Sequence, residues 1–186
     1  MSYKAPFTSA TNWGVSRVDG TTITATNGII SINAVPPPSL NYGFFYDTTT
    51  QTNPVANTPN LVTFNTTGTN NQVTVAGSQI TVVNSGTYSK VFTLSFEKTS
   101  PGAPTVASIW MRRNGVNVSN SAQEIAVPNQ VSLLFVSGNY TLALDAGDNI
   151  SMAWSSPDLA VQLSFLPATV TLPATPSAKI TLTRIS

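Results

Sequence analysis

Two aspartates that flank a short connection are the residues best suited to catalysis. Asp145 and Asp148 enclose Ala146-Gly147, and the chain contains no histidine and no cysteine. Without those two residue types, the usual general base, the thiol nucleophiles and the commonest transition-metal ligands are missing. A glycoside hydrolase needs only a pair of carboxylates, so this remote alternative stays open. Aspartate and glycine also favour tight turns, and we therefore predict a turn here and no enzymatic activity.

The same pair of aspartates offers a weak metal site. Calcium binds clustered carboxylate and carbonyl oxygens, so Asp145 and Asp148 are the candidate calcium ligands. The longer acidic loop that would strengthen such a site is absent, and we expect no other cofactor. The carboxylates of Glu97, Glu124 and Asp158 are isolated in the sequence and are predicted to be solvated.

The composition indicates a β-protein that is poor in charge. Only 8% of the 186 residues are charged, against an average of about 25%, so serine, threonine and asparagine must keep the surface polar. β-branched residues suit strands, while Asn, Gly and Pro mark turns. A net charge of +1 attracts phosphate only weakly, so nucleic acid is not an expected partner. The sequence has neither a signal-peptide pattern nor an apolar run long enough to span a bilayer, so we expect synthesis in a cytoplasm and no membrane insertion.

From residue 41 onward, short apolar runs are separated by turn signals, a pattern that predicts antiparallel strands in a sandwich or barrel. In three runs the apolar residues recur at every second position, so one face of each strand should point into the core. These residues are Tyr88, Phe92, Leu94 and Phe96; Ile150, Met152 and Trp154; and Leu159, Val161, Leu163 and Phe165. The aromatic group Tyr42, Phe44, Phe45 and Tyr46 allows two interpretations: we favour a core strand, and the alternative is a sugar-binding platform.

Two other apolar runs do not alternate, namely Ile109-Trp110-Met111 and Leu133-Leu134-Phe135. The outer face of a two-layer sandwich is wet unless another chain covers it. We therefore predict contacts between subunits through Ile109, Met111, Leu133 and Phe135. A bulge or a covering loop is the alternative explanation.

Residues 1–41 differ from the rest because apolar residues are sparse and the segment ends in three prolines, a stiff extended stretch. Asn27-Gly28 lies between β-prone flanks and predicts a hairpin within residues 22–33. A lone hairpin is rarely stable in water, so it should pack on a neighbour. We interpret 1–41 as an anchoring arm and 42–186 as the folded domain. The anchor candidates are Trp13, Ile23, Ile30 and Ile32.

Several stretches of the domain resemble successive strands of the C1q/TNF-like jelly roll, in the version found in virion proteins of tailed phages and large viruses. The stretches are Gly86-Thr-Tyr leading into Phe92-Thr-Leu-Ser-Phe96, Ile109-Trp-Met-Arg-Arg-Asn-Gly115 followed by Val118-x-x-Ser121, and Leu142-x-Leu-Asp-Ala-Gly-Asp-Asn-Ile150-x-Met-x-Trp154. Residues 46–54 and 176–185 also resemble those phage proteins. The resemblance covers residues 42–186 and implies an all-β antiparallel jelly-roll sandwich.

The resemblance further implies a compact homotrimer in which one sheet of each subunit faces the three-fold axis. Together with the arm, it leads to the hypothesis of a phage virion structural protein, most simply a capsid decoration or head-fibre protein. Its arm would bind the major capsid protein or another virion protein. The alternative is a tail-fibre or receptor-binding adhesin that recognises host surface glycans. Members of the family serve as ligands, adhesins and particle decorations, so the fold alone does not decide between them.

Overall fold

The computed structural model describes residues 23–26, 29–32, 40–129 and 133–186. The chain forms two units, residues 1–39 and residues 40–186. In the first unit, strand β1 (Ile23–Thr26) pairs antiparallel with β2 (Ile29–Ile32). Ile23 lies opposite Ile32 in this register, which confirms the two strands of the predicted hairpin.

The anchor candidates fall partly within this hairpin. Ile23 lies on β1, and Ile30 and Ile32 lie on β2. The fourth candidate, Trp13, lies outside the described residues, as do the predicted turn at residues 27–28 and the prolines at 36–38. The role of these residues as an anchor therefore stays a prediction.

The second unit is an antiparallel β-sandwich, and no helix occurs in its described residues. The strands are β3 (Tyr42–Asp47), β4 (Gln51–Thr52), β5 (Asn60–Leu61), β6 (Thr66–Asn71), β7 (Val73–Ala76), β8 (Gln79–Val82), β9 (Gly86–Lys98), β10 (Thr105–Arg113), β11 (Val116–Asn117), β12 (Gln123–Val127), β13 (Leu134–Leu144), β14 (Asn149–Ser155), β15 (Val161–Leu163) and β16 (Ala178–Arg184). The predicted all-β class is confirmed.

The strands form two sheets of seven, which we name after their long central strands. In the β9 sheet, β13 pairs with one side of β9, while β16 and β15 pair with the other. The sheet continues from β16 to β3 and β6, and from β15 to β4. In the β10 sheet, β14 pairs with one side of β10, while β11 and β12 pair with the other. It continues from β14 to β5 and β8, and from β8 to β7.

One hydrophobic core fills the space between the two sheets, because alternate side chains of the long strands point inward. The predicted alternation holds in β9 and β14, where Tyr88, Phe92, Leu94, Phe96, Ile150, Met152 and Trp154 are all buried. The Trp154 and Phe96 rings meet edge to face with their centroids 5.6 Å apart. Strand β15 includes only Val161–Leu163, so the flanking Leu159 is exposed instead of buried.

The two runs that we expected to be apolar on both faces alternate like the others. Ile109 and Met111 are each 1% exposed and point inward, whereas Trp110 between them lies on the outer face of the β10 sheet. The prediction of Ile109 and Met111 as subunit contacts is therefore wrong, because a single chain already buries both. In β13, Leu134 packs against the core and Phe135 points outward, 52% exposed. Leu133 directly precedes this strand and is half-buried.

Candidate interaction surface

The face of the β9 sheet that points away from the core carries many small hydroxyl side chains and few charged ones. We call it the outer face, and it consists of Phe135, Ser137, Asn139 and Thr141 on β13, Ser89, Val91, Thr93, Ser95 and Glu97 on β9, Lys179, Thr181 and Thr183 on β16, and Tyr42, Phe44 and Tyr46 on β3. The strand registers align these residues in rows, one of which runs through Asn139, Val91, Thr181 and Phe44.

Two pairs of polar side chains on the outer face satisfy each other across the β9–β13 pairing. The hydroxyls of Thr93 and Ser137 lie 2.9 Å apart across the β9–β13 pair. One row away, Ser89 Oγ donates to Asn139 Oδ1 at 3.3 Å. Since cross-strand hydroxyl pairs lower the cost of removing water from a sheet surface, this face can be covered by another protein surface.

The aromatic side chains of β3 form one border of the outer face. Tyr42, Phe44 and Tyr46 point outward, and we call them the aromatic stripe; only Phe45 enters the core. The centroids of the Phe44 and Tyr46 rings are 5.5 Å apart. The Phe44 ring lies over Gly68 of β6, where an added methyl group would come within 2.6 Å of it. Our preference for a core strand was thus wrong for three of the four aromatic residues, because strand periodicity allows only alternate residues inside.

Charge is scarce on this side of the sandwich. The two charged members of the outer face are Lys179 and, at one end of the face, Glu97. Glu97 is not simply solvated as expected, because its carboxylate accepts hydrogen bonds from Ser164 Oγ and from Gln162 Nε2. The β10 sheet, by contrast, carries half-buried Arg112 and exposed Glu124. The two sides of the sandwich therefore differ in how readily they can be desolvated.

A short hairpin, residues 165–176, leaves the β9 sheet between β15 and β16, and we call it the finger. Its two ends are held by one residue of β9: Ser164 N donates to Ser95 O at 2.8 Å, and Ser95 N donates to Ser177 O at 2.9 Å. Within the finger, Leu166 and Thr175 exchange backbone hydrogen bonds of 3.0 and 2.8 Å. These hydrogen bonds fix the backbone of the finger, which is therefore an ordered hairpin of the fold.

The base of the finger lies against the outer face, and its tip is apolar. Ser95 is an outward-pointing position of β9, yet it is fully buried, and its Oγ donates to Pro176 O at 3.0 Å. The base of the finger thus covers the outer side of the sheet at this point. At the tip, Val170 is fully exposed and Leu172 is 66% exposed. Phe135, the cross-strand partner of Ser95, lies beside the finger's base.

The aspartate pair forms the predicted turn. Asp148 N donates to Asp145 O at 3.0 Å, and Gly147 between them has a φ of +87°, which glycine adopts without strain. Both carboxylates contact the same guanidinium: Arg113 Nη2 lies 2.9 Å from Asp145 Oδ2 and also binds Asp148 Oδ2. Asn114 Nδ2 donates to Asp148 Oδ1 at 2.6 Å.

These contacts do not fit the candidate calcium site, because a guanidinium occupies the position that the cation would need. No group of three or more His, Cys, Asp or Glu side chains in the described residues could hold a metal ion. Burial raises the pKa of Asp148, but hydrogen bonds from Asn114, from the Asp145 N–H and from Arg113 outweigh it and lower that pKa. A glycosidase acid requires a raised pKa, and the lowered pKa of Asp148 does not match that role.

Lys90 is a feature that the alternation of apolar residues did not reveal. It lies on the inward face of β9 with no exposed surface, and its amine has no hydrogen-bond partner among the described residues. The Nζ atom lies 4.8 Å from the ring centroid of Phe92 and 5.1 Å from that of Tyr140. Burial lowers the pKa of Lys90 to about 7.

A second buried lysine is paired. Lys98 Nζ lies 2.7 Å from Asp158 Oδ2 and donates to Ala103 O at 2.7 Å. The hydrogen bond from Lys98, followed by that from the Ala160 N–H, lowers the pKa of Asp158. Asp158 is therefore part of a structural ion pair, whereas we had expected it to be isolated and solvated.

The two antiparallel sheets form a sandwich with a C1q/TNF-like jelly-roll fold. Among solved structures, the chain is similar to the globular domain of zebrafish complement 1qA protein, with 17% identity over 78% of this chain and 97% of that one and a TM-score of 0.49. It is also similar to murine APRIL, with 8% identity over 78% of this chain and 99% of that one and a TM-score of 0.51. At such identities the APRIL likeness shows the fold alone.

Comparisons of the sequence itself find less. No protein-family profile and no curated protein matches the chain. The described residues contain no helix that is both long and apolar enough to cross a membrane.

Proposed function

We propose that this chain is a non-enzymatic virion structural protein of a phage that assembles as a homotrimer. Its jelly roll serves as a capsid decoration or head-fibre head, and its N-terminal arm attaches it to the major capsid protein or to another virion protein. The observation that carries the assembly is the outer face of the β9 sheet, which combines exposed Val91 and Phe135 with only two charged side chains, Lys179 and, at one end, Glu97.

Burial of this face in an assembly is physically favourable. Val91 and Phe135 are 47% and 52% exposed, and burial of apolar surface contributes about 25 cal/mol per Å². Four of the polar side chains around them already form pairs, Ser89 with Asn139 and Thr93 with Ser137, so these groups keep a partner when water is removed. In a cyclic assembly every copy presents the same face, and a nearly uncharged face avoids like-charge repulsion.

The assignment to a virion rests on two further points. The sequence stretches quoted above resemble the C1q/TNF-like version found in phage virion proteins. The chain also divides into a short first unit and a larger sandwich, as expected of an anchor followed by a projecting domain. Trimeric assembly is compatible with the C1q/TNF-like fold.

A charge placed in the middle of the outer face tests the assembly. The wild-type protein should have three times the 19.6 kDa chain mass in light scattering, and Val91→Lys should dissociate it. Val106→Lys is a matched control, because Val106 is 45% exposed on a strand of the other sheet. A wild-type monomer, or equal behaviour of the two variants, would contradict the proposal.

Attachment is tested separately by removing residues 1–39, which leaves intact the unit that begins at residue 40. The remaining sandwich contains its own core, so we expect it to fold and to assemble. It should no longer bind particles that lack the wild-type protein, as measured by co-sedimentation. If the shortened protein still binds, the arm is not the anchor.

The aromatic stripe favours a second candidate, a receptor-binding module for host surface glycans. Aromatic rings that lie partly exposed on a rigid strand can stack on sugars, and Phe44 and Tyr46 are so arranged. Binding of the protein to a glycan array, with loss on Tyr46→Ser, would support this function. The control is Tyr140→Phe, which removes an inward hydroxyl bonded to Ser121 O and leaves the stripe intact.

A further inference from the structure

We propose that the finger joins the subunits: the apolar tip of one copy packs on the outer face of a second copy, against exposed Val91 and Phe135. This inference rests on the proposed self-association and assigns the element that completes it. Each subunit would pack its own finger on one neighbouring copy and would receive the finger of another copy on its outer face.

The tip exposes its apolar side chains instead of packing them against its own chain. Val170 is fully exposed, and Leu172 and Leu166 are 66% and 43% exposed. The backbone is nevertheless fixed, since Thr169 N donates to Leu172 O at 2.9 Å and Thr169 Oγ1 accepts from Leu172 N at 3.1 Å. A hairpin that is ordered before binding loses little conformational entropy when it docks.

The proline content of the finger adds to this order. Pro167, Pro173 and Pro176 restrict the backbone on both sides of the tip. The base is tied to the sheet through Ser95, as described above, and Phe165 N donates to Thr50 Oγ1 at 3.2 Å. The exposed side chains of Leu166, Val170 and Leu172 are therefore held in a defined arrangement.

The charge distribution points to a second copy of this chain as the occupant. No charged residue occurs from Leu159 to Ala178, and the outer face carries only Lys179 and, at one end, Glu97. A partner of opposite charge would have almost nothing to recognise on either surface. An apolar projection and a nearly uncharged apolar and hydroxyl surface are instead complementary to each other.

Position supports the same occupant. The finger's base covers Ser95, directly opposite Phe135 in the β9–β13 pair, so projection and receiving surface lie on the same side of the sandwich. In a cyclic assembly the finger of each copy would therefore meet the outer face of the next. Such a heterologous contact, repeated around a closed ring, would bury both surfaces in every copy.

The first experiment places a charge at the tip of the finger in the full-length chain. Val170→Asp should dissociate the assembly at least tenfold more readily than the wild type on dilution, as measured by light scattering. Val116→Asp is the control, because Val116 is 70% exposed at a hairpin of the other sheet. If the wild type is assembled and Val170→Asp dissociates no more readily, the finger does not join the subunits.

The second experiment uses the absence of cysteine from the chain. The double variant Val170→Cys, Ser137→Cys keeps Val91 and Phe135 in place and, on oxidation, should give covalent dimers and trimers in a denaturing gel. Each single variant should give far less of these products. Only monomeric bands from an assembled double variant would overturn the inference, whereas a monomeric wild type would overturn the proposed assembly itself.

Discussion

The amine of Lys90 is placed where a charge is costly. Its neighbours from three strands are Phe92, Tyr140 and Leu182, none of which is charged. A buried ammonium without a partner loses its hydration, so its proton is released at a lower pH than in water. The two aromatic rings offer a weak attraction to the cation, which does not compensate for the lost water.

This burial predicts a pH-dependent stability. The unfolded chain binds the Lys90 proton below about pH 10.5 and the folded chain only below about pH 7. Between these values unfolding takes up a proton, so stability falls as the pH falls, by about 1.4 kcal/mol per pH unit from this group. Urea unfolding of the wild type and of Lys90→Met at several pH values measures the effect.

Lys90→Met should be more stable than the wild type at pH 7 and below, and its advantage should shrink as the pH rises toward 10. Lys179→Met, at a position on the outer face, is the control and should show no such trend. A constant difference between Lys90→Met and the wild type across this range would contradict a neutral buried amine.

The two aspartates of the 145–148 turn should differ in their importance. Asp148 is buried and accepts from Asn114, the Asp145 N–H and Arg113, whereas Asp145 is exposed. Asp148→Ala should lower the free energy of unfolding by roughly 1–3 kcal/mol, because several donors lose their acceptor. Asp145→Ala should change it by less than about 0.5 kcal/mol. Equal effects of the two variants in urea unfolding would contradict this role of Asp148.

Residue types gave the turn at 145–148 correctly, since local backbone preference is enough to specify it. They could not give the partner of those aspartates, because Arg113 is distant in sequence and comes close only through the β10–β14 pairing. Lys90 was missed for a related reason. A lysine at an inward position interrupts the alternation of apolar residues. Only the folded structure shows that the long side chain of Lys90 is buried in the core.

At the scale of elements, β9 and β13 form the longest pairing of the sandwich, from Gly86 opposite Leu144 to Phe96 opposite Leu134. Gly138 in β13 is required by this pairing, because the Phe92 ring lies across it. A methyl group at Gly138 would come within 2.6 Å of a ring carbon.

Gly138→Ala should therefore destabilise the protein by roughly 1–3 kcal/mol, the usual cost of overpacking. Thermal unfolding followed by circular dichroism measures the loss. The neighbouring Ser137→Ala lies on the outer face and should have a much smaller effect. Wild-type stability of Gly138→Ala would mean that the Phe92 ring can move aside.

The sequence predicted the presence of strands more reliably than it predicted which face of each strand points into the core. The alternation in β9 and β14 identified core positions correctly because inward residues there are almost all apolar. The same rule failed where apolar residues occupy consecutive positions, as at Tyr42–Asp47 and at residues 109–111. In such a run, hydrophobicity alone cannot say which alternate residues point into the core. The finger was not predicted, because a segment rich in proline and threonine indicates a loop but does not show that the loop has a fixed conformation.

At the scale of the whole molecule, an assembly held by the outer face and the finger should show mass action. A folded trimer that unfolds to separate chains is stabilised by higher protein concentration. The Tm should therefore rise by several degrees over a hundredfold increase in concentration, as measured by scanning calorimetry. For Val170→Asp this dependence should weaken, and a concentration-independent Tm for the wild type would indicate a monomer.

The beginning and the end of the sandwich are held side by side, since Arg184 N donates to Asn41 O at 2.8 Å. A short glycine linker could therefore join these two points without disturbing either strand, and new termini could be opened at the exposed turn around Gly77. A circularly permuted sandwich of this kind would present any fused peptide from the β10 sheet and not from the face that we assign to self-assembly.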